Sequence, residues 1–321
     1  MRIGYNTWSM ATVPYTEFIP GLSDIGFTAI AISVVPGYNI GGKDVPNAAD
    51  QASLSATDRS NIKTAFQERG LRLPSIIGNQ SLLEDDPDRN VAAINRLRGA
   101  IELCVELTLP GQEVPTLNTG IAGHSGDLEA KQHVVLDRLG ALTDYARACG
   151  VVICVEPHVS GAVDTPARAE WLVRKIDSPS LRLDFDVSHF EVVGIPMDES
   201  VARLAPLAGA AEIKDQHFRY LRAPDDASPG PDGWLVKGNG VGRATSPDGR
   251  PVEFQFLLGG EGTFDLPKYL QLMRAHGFTA PIAFEASVQC QARPGYDALA
   301  SAADIYRWMA EGWRTAGVPE Q

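Results

Sequence analysis

The feature that most constrains this chain is a rhythm of short apolar runs and longer amphipathic segments. The runs cover residues 3–5, 29–34, 73–77, 114–117, 151–155, 181–185, 210–213 and 282–284, eight in all. They are nearly continuous rather than alternating, which suits parallel strands covered on both faces. The segments between them read as helices over 18–25, 55–68, 88–107, 129–149, 165–176, 199–207, 266–276 and 298–313. Val91, Ile94, Leu97, Ile101, Cys104 and Leu107 make one helical stripe. Thr165-Pro166 is a helix-start signal, and Gly26, Gly70, Gly150 and Gly277 fall where helices stop before the next strand. Strand-helix alternation repeated eight times predicts an α/β fold, a (β/α)8 TIM barrel. An open dinucleotide-binding sheet would need a glycine-rich turn after the first strand, and here that turn reads NTWSMATVP.

The 321 residues exceed the usual barrel length of about 250, so one domain spanning 1–321 with loop insertions is expected. Three segments are too long for simple connectors: 36–54, 117–128 and, longest, 218–264 after the seventh strand. All follow strands, which puts them on the active-site face of a barrel. The 218–264 insertion reads as a lid, a substrate loop or a reach toward a partner, with Trp234, Leu235, Val236, Phe254, Phe256 and Leu257 to bury. A net charge of −12 without a basic run excludes nucleic acid as a partner. Cys104, Cys149, Cys154 and Cys290 form no CxxC pair and read as free thiols. The opening MRIGYNTW is strand-like rather than leader-like, and no apolar stretch approaches the ~20 residues of a membrane span. No membrane association and a cytoplasmic location are therefore expected.

Residues at the C-terminal ends of barrel strands converge on one site. The fifth strand ends CVEPH, giving Glu156 and His158; the sixth ends LDFDVSH, giving Asp184, Asp186 and His189. The seventh reads AAEIKDQH, giving Glu212, Lys214, Asp215 and His217; the eighth ends IAFEAS, giving Glu285. Buried carboxylates without compensation are costly, so a shared cation is the economical explanation. Arg168, Arg182 and Arg219 are too few and too scattered to pair with them all. Asn6 and Trp8 near the first strand end, Lys214 on the seventh, and Gln289 and Arg293 after the eighth are the substrate-binding candidates.

This pattern resembles the xylose-isomerase-like superfamily of sugar isomerases, epimerases and related lyases. The resemblance runs from the first strand to EGTFDLPKYLQLMRAHGFTAPIAFEAS. It implies a divalent metal held by a Glu, an Asp, a His and a Glu on strands five to eight. Carried over, these are Glu156, Asp186, the strand-seven position and Glu285. Asp186 and His189 match the family's D-x-x-H element, whose His faces substrate. Strand seven departs from the family's His-x-Lys-Asp: it reads Glu212-Ile213-Lys214-Asp215. Either Glu212 takes the histidine's place, or His217 supplies the ligand, or the metal site is altered or lost. With Glu212 the shell would be all oxygen and suit Mn²⁺ or Mg²⁺, and with His217 it would regain one nitrogen and suit Mn²⁺ or Co²⁺, so Mn²⁺ is expected first.

The chemistry expected is abstraction of a proton next to a sugar carbonyl, by Glu156 and Glu285 or by His158 and His189, with the enediolate stabilised by the metal. Return of the proton gives epimerisation or isomerisation; loss of a β-substituent gives elimination. The opening GYNTWSMATVPYTEFIPGL and the loop VVPGYNIGGKDVPNAA also resemble the catalytic subunits of bacterial C-glycoside deglycosidases. That resemblance implies a 3-oxo-C-glycoside substrate and a small second subunit, within an oligomer. Two other classes compete. A zinc-rich endonuclease of the same barrel type needs more than six histidines and a basic face. A barrel without metal, acting as a non-catalytic binding or scaffold subunit, stays open because of Glu212.

Overall fold

The structure is a computed structural model, and it describes residues 1–226 and 234–320. In chain order its strands are β1 (Ile3–Asn6), β2 (Ala29–Ser33), β3 (Gly37–Ile40), β4 (Lys43–Pro46), β5 (Ser75–Ile77), β6 (Thr116–Thr119), β7 (Ile153–Val155), β8 (Leu181–Asp186), β9 (Ala208–Ile213), β10 (Asp215–Tyr220), β11 (Gly242–Thr245), β12 (Pro251–Leu257) and β13 (Ile282–Phe284). Eight of them close a barrel in the order β1-β13-β9-β8-β7-β6-β5-β2, and β1 pairs in parallel with both β2 and β13. The expected (β/α)8 barrel is the observed fold.

Local chemistry explains the alternation. All five residues of β2 are buried, because the barrel interior lies on one face and helices on the other. The helix Ala56–Glu68 opens on a capping box, in which Ser55 and Asp58 each accept the other's backbone N–H. The helix Pro166–Ile176 opens on Thr165, whose hydroxyl accepts the Arg168 N–H, and proline fills the first turn. Gly70, Gly150 and Gly277 end helices at φ of 64°, 71° and 80°, where a side chain would be strained.

Two boundaries differ from the sequence pattern. The fourth barrel strand starts at Thr116, not 114, because Pro115 has no N–H to give a neighbour. It continues through Asn118 and Thr119, polar residues whose side chains are buried. The insertion after the seventh barrel strand starts at Asp215, before the expected 218. It is a three-stranded antiparallel sheet in the order β10-β12-β11, with Asp215 opposite Leu257 and Tyr220 opposite Val252. Val252, Phe254, Phe256 and Leu257 are buried, whereas Leu235 is exposed, against expectation. Residues 227–233 of this segment lie outside the described residues. The 36–54 segment contains the β3-β4 hairpin.

Asp215 ties the insertion to the barrel. Its carboxylate accepts the backbone N–H groups of Gln216, Gly260, Gly262 and Phe264 at 2.8, 2.8, 2.8 and 3.1 Å. A Cβ on Gly262 would collide with that carboxylate and come within 2.6 Å of the Gln216 carbonyl oxygen. Gly262→Ala should therefore destabilise the protein by about 1–3 kcal/mol. Denaturant titration measures this; an unchanged midpoint would show that the loop relaxes freely.

The four cysteines are free, as expected. Among the described residues, no helix is long and apolar enough to cross a membrane.

Candidate active site

The barrel register brings polar residues of five strands to one mouth. Glu156 and Glu285 are the first residues past β7 and β13, Asp186 and Asn6 end β8 and β1, and Lys214 follows β9 directly. Each is placed by a short buried strand, so its position is fixed by the sheet rather than by a mobile loop. His189 is returned to the same place by a turn. Asp186 Oδ1 accepts the Ser188 N–H at 2.9 Å, and the short helix Ser188–Glu191 then swings His189 back over the strand end.

Lys214 stands at the centre. Its ammonium donates to Asp186 Oδ2 and lies 3.2 Å from Glu285 Oε1, 3.3 Å from His189 Nε2 and 3.6 Å from Glu156 Oε1. His189 Nε2 is 3.2 Å from Glu156 Oε1, and the His189 ring lies 4.0 Å from that of His158. Asn6 Nδ2 donates to Glu212 Oε1 at 2.8 Å and to Glu285 Oε2 at 3.1 Å, joining the two acids on the far side. One layer down, Asn118 Nδ2 donates to Asp184 Oδ2 at 2.7 Å, while Asp184 Oδ1 has no partner. The Phe256 ring, from the insertion, covers the cluster 5.1 Å from the His189 ring and 5.7 Å from the ammonium.

These contacts separate the acids electrostatically. Burial would raise the pKa of Glu156, but the positive charges of Lys214 and His189 outweigh it and hold the carboxylate below its usual range. Burial, reinforced by neighbouring carboxylates, raises Asp184 and Glu212 well above that range. Burial also raises Glu285, against the pull of Lys214. Burial would lower Lys214, yet the surrounding acids, Asp186 first, hold it well above an ordinary lysine. His158 is pushed below an ordinary histidine, first by loss of hydration and then by the positive His189 beside it. Its side chain is nonetheless exposed to solvent, which weakens both effects.

Not every sequence candidate reaches this centre. His217 sits on β10, stacked on Trp234 at 4.8 Å and 3.0 Å from Gln255 Oε1, away from the acids. Strand pairing within the insertion carries it there, since β10 leaves the barrel immediately after Lys214. Gln289 accepts the Phe256 N–H at 3.0 Å, and Arg293 forks onto Glu261 and bonds Asn239, so both fasten the insertion. Trp8 packs edge-on to Tyr38 at 4.7 Å, against the hairpin. The sequence pattern missed Phe256 as a wall of the site, because the insertion's sheet pairing is not encoded in local periodicity. It also missed Glu191, on the turn that carries His189, whose pKa burial raises to about 7.

A cavity of about 390 Å³, lined by Asn79, Gln80, Gly120, Glu156, His158 and Gly161 among others, opens beside the cluster. A sugar-sized molecule fits such a volume. A second cavity, about 500 Å³, lies at the opposite, N-terminal mouth and meets Glu212 alone of the six charged residues Glu156, Asp184, Asp186, Glu212, Lys214 and Glu285.

The metal expectation can be tested on this geometry. Among the described residues, Glu156, Asp186 and His189 form the group whose ligand atoms all lie within 4.8 Å of one another. Those donor types suit a divalent ion. The space their atoms share, however, is where the Lys214 ammonium stands, in contact with Asp186, His189 and Glu285. Of the other carried-over ligands, Glu285 is paired with Lys214, and Glu212, one choice for the strand-seven position, is turned onto Asn6. As arranged, the residues do not fit a divalent ion.

A sequence profile of the family described as xylose isomerase-like TIM barrel matches residues 21–312. No curated protein sequence matches the chain significantly. Several solved structures share its fold. An E. coli 3-keto-D-glucoside 4-epimerase is 16% identical with a TM-score of 0.67, over 97% of this chain and 99% of that one. A D-psicose 3-epimerase from Clostridium cellulolyticum H10, determined with D-tagatose, is 12% identical with a TM-score of 0.65, over 97% and 99% of the two chains. A xylose isomerase-like TIM barrel protein from Mycobacterium smegmatis, in complex with magnesium, is 17% identical with a TM-score of 0.62, over 98% and 97%.

Proposed function

Because the chain belongs to the xylose isomerase-like TIM barrel family, we propose that it is a sugar isomerase or epimerase, acting by proton transfer at the carbon next to a carbonyl. The observation that carries this reading is the placement of two carboxyl groups, Glu156 and Glu285, on either side of one positive centre at the barrel mouth. Their environments push their pKa values apart, which is the arrangement an acid/base pair needs. Glu156, ionised and lining the 390 Å³ cavity, is the base for the first proton. The C–H bond breaks, its proton goes to the carboxylate, and its electron pair moves onto the carbonyl oxygen. The positive centre stabilises that oxygen. Glu285, kept proton-rich by burial and by the neighbouring carboxylates Glu156 and Asp186, returns a proton from the other side.

Elimination from a 3-oxo-glycoside is the second reading, and the Phe256 wall favours it, since an aromatic leaving group can pack there. A mass-spectrometric screen of free ketoses, inososes and 3-oxo-glycosides in D₂O separates the two. Deuterium at the carbon next to the carbonyl, with mass otherwise conserved, is the expected result. Release of an aglycone identifies the elimination branch. No deuterium entry and no release from any of these classes would reject the function.

A further inference from the structure

We propose that the ammonium of Lys214 takes the place of the family's divalent ion, both as the counter-charge of the acid cluster and as the group that stabilises the enediolate. This rests on the proton-transfer reading above and names the electrophile for it.

Three observations carry the proposal. First, position: the Lys214 nitrogen touches Asp186, Glu285 and His189 and faces Glu156, so it stands at the crossing point of donors from β8, β13 and β7. Second, the complementary change just before it: Glu212, near the end of β9 and two residues before Lys214, does not point a donor at this crossing point. It is bound to Asn6, which also holds Glu285 Oε2 and so aims Glu285 Oε1 at the lysine. Third, enclosure: Lys214 is 3% exposed, with the Phe256 ring over its nitrogen. A divalent ion and an ammonium within about 3 Å of each other repel strongly in so enclosed a place. The two are alternatives, and the acids are already built around the lysine.

The ammonium has the donors the reaction needs. A lysine nitrogen carries three N–H groups. Asp186 accepts one of them, and Glu285, an ion-pair partner 3.2 Å away, faces a second. His189 Nε2 can accept the third only in the tautomer that withdraws its own proton from Glu156. With His189 donating to Glu156, the third N–H is free for a substrate oxygen. When Glu156 removes the proton, the electron pair settles on that oxygen, and the N–H···O⁻ bond strengthens as the charge develops. No bond to nitrogen forms, and no external oxidant or reductant is required. Two carboxylates hold the lysine charged, which keeps it an electrophile rather than a nucleophile.

The test uses the full chain and has a readout that needs no substrate. Mn²⁺, Mg²⁺ and Co²⁺ are titrated calorimetrically into chelator-washed wild type, Lys214→Ala and Lys214→Arg, and metal content is measured by mass spectrometry. The expected result is no stoichiometric site in wild type or Lys214→Arg and one new site in Lys214→Ala, where the vacated acids can close on an ion. If a substrate has been found, wild-type turnover is expected to be unaffected by EDTA, and Lys214→Ala to lose about 10²–10³-fold, partly restored by Mn²⁺. One tightly held ion per wild-type chain, or EDTA-sensitive turnover, would overturn the proposal. So would equal metal affinity in wild type and Lys214→Ala. Should Lys214→Ala fail to fold, the wild-type titration decides alone. A failed substrate screen rejects the proton-transfer reading, while the metal titration continues to test the lysine.

Discussion

Glu156→Gln and Glu285→Gln should each lower turnover by about 10²–10⁴-fold, the range for loss of a general acid or base, and each should do so for one direction of proton exchange more than the other. The amide keeps the shape of the acid and loses the proton chemistry. In a two-base epimerase each carboxylate serves one face of the substrate carbon. Glu156 is ionised at rest because Lys214 and His189 outweigh its burial; Glu285 is raised by burial and by the carboxylates of Glu156 and Asp186. Glu156→Gln should therefore stop deuterium entry into the epimer whose proton faces the 390 Å³ cavity side, and Glu285→Gln should stop entry into the other. His158 is a weaker candidate for this task. Its pKa is pushed down, by loss of hydration and then by the neighbouring His189, so it takes up a second proton less readily than an ordinary histidine. His158→Gln should cost less than either glutamate variant. Exchange followed by mass spectrometry on each epimer separately checks all three. Undiminished exchange into both epimers in both glutamate variants would dismiss the pair.

The sequence shows the barrel clearly because each strand is buried on both faces and each helix carries its own stop and start signals. Residues 282–284 are read correctly to the residue, and Ser55, Thr165 and Gly150 mark helix ends in both readings. Where a strand is polar, as at Asn118 and Thr119, apolarity underestimates it. The mouth of the barrel is legible as a set: Glu156, Asp186, Lys214 and Glu285 sit where strands end, and strand ends in a closed barrel must converge. What spacing cannot show is which atom lies between them. Glu212 on β9 and Lys214 just past its end are two residues apart, but only the packing of Asn6 against Glu212 leaves Lys214 to occupy the centre. The insertion is the other gap. His217, Gln289 and Arg293 look like site residues because they follow strands, yet they answer to pairing between β10 and β12, a contact some forty residues apart in sequence.

Lys214→Met should cost about 3–5 kcal/mol of stability at pH 8, the range for removing one partner of a buried ion pair, and this deficit should shrink as the pH falls below about 4. Methionine keeps most of the stem's volume, so the effect reports charge rather than a cavity. In wild type, Glu156 has a depressed pKa; the stability it contributes is present above its unfolded value of about 4.3 and is lost as the pH falls through its folded value. Lys214, with a raised pKa, contributes fully below its unfolded value of about 10.4 and loses that contribution only as the pH rises through its folded value. Both contributions are therefore in force at pH 8. In the variant the lysine no longer opposes burial, so the Glu156 pKa moves up and the Glu285 pKa moves further up. An acid with a raised folded pKa binds protons more tightly folded than unfolded, so the variant loses stability as the pH rises. Near pH 3 the signs reverse. The acids are protonated in the variant and cost little, while wild type loses part of the Glu156 contribution, because the unfolded chain takes up protons that the folded carboxylate does not. Urea titrations at pH 3, 5, 7 and 8, with EDTA present so that no ion can substitute, trace the two curves. They should converge or cross at the acid end and separate steadily above it. A pH-independent gap would mean that Lys214 stabilises the protein through packing of its stem and not through the acids around its nitrogen.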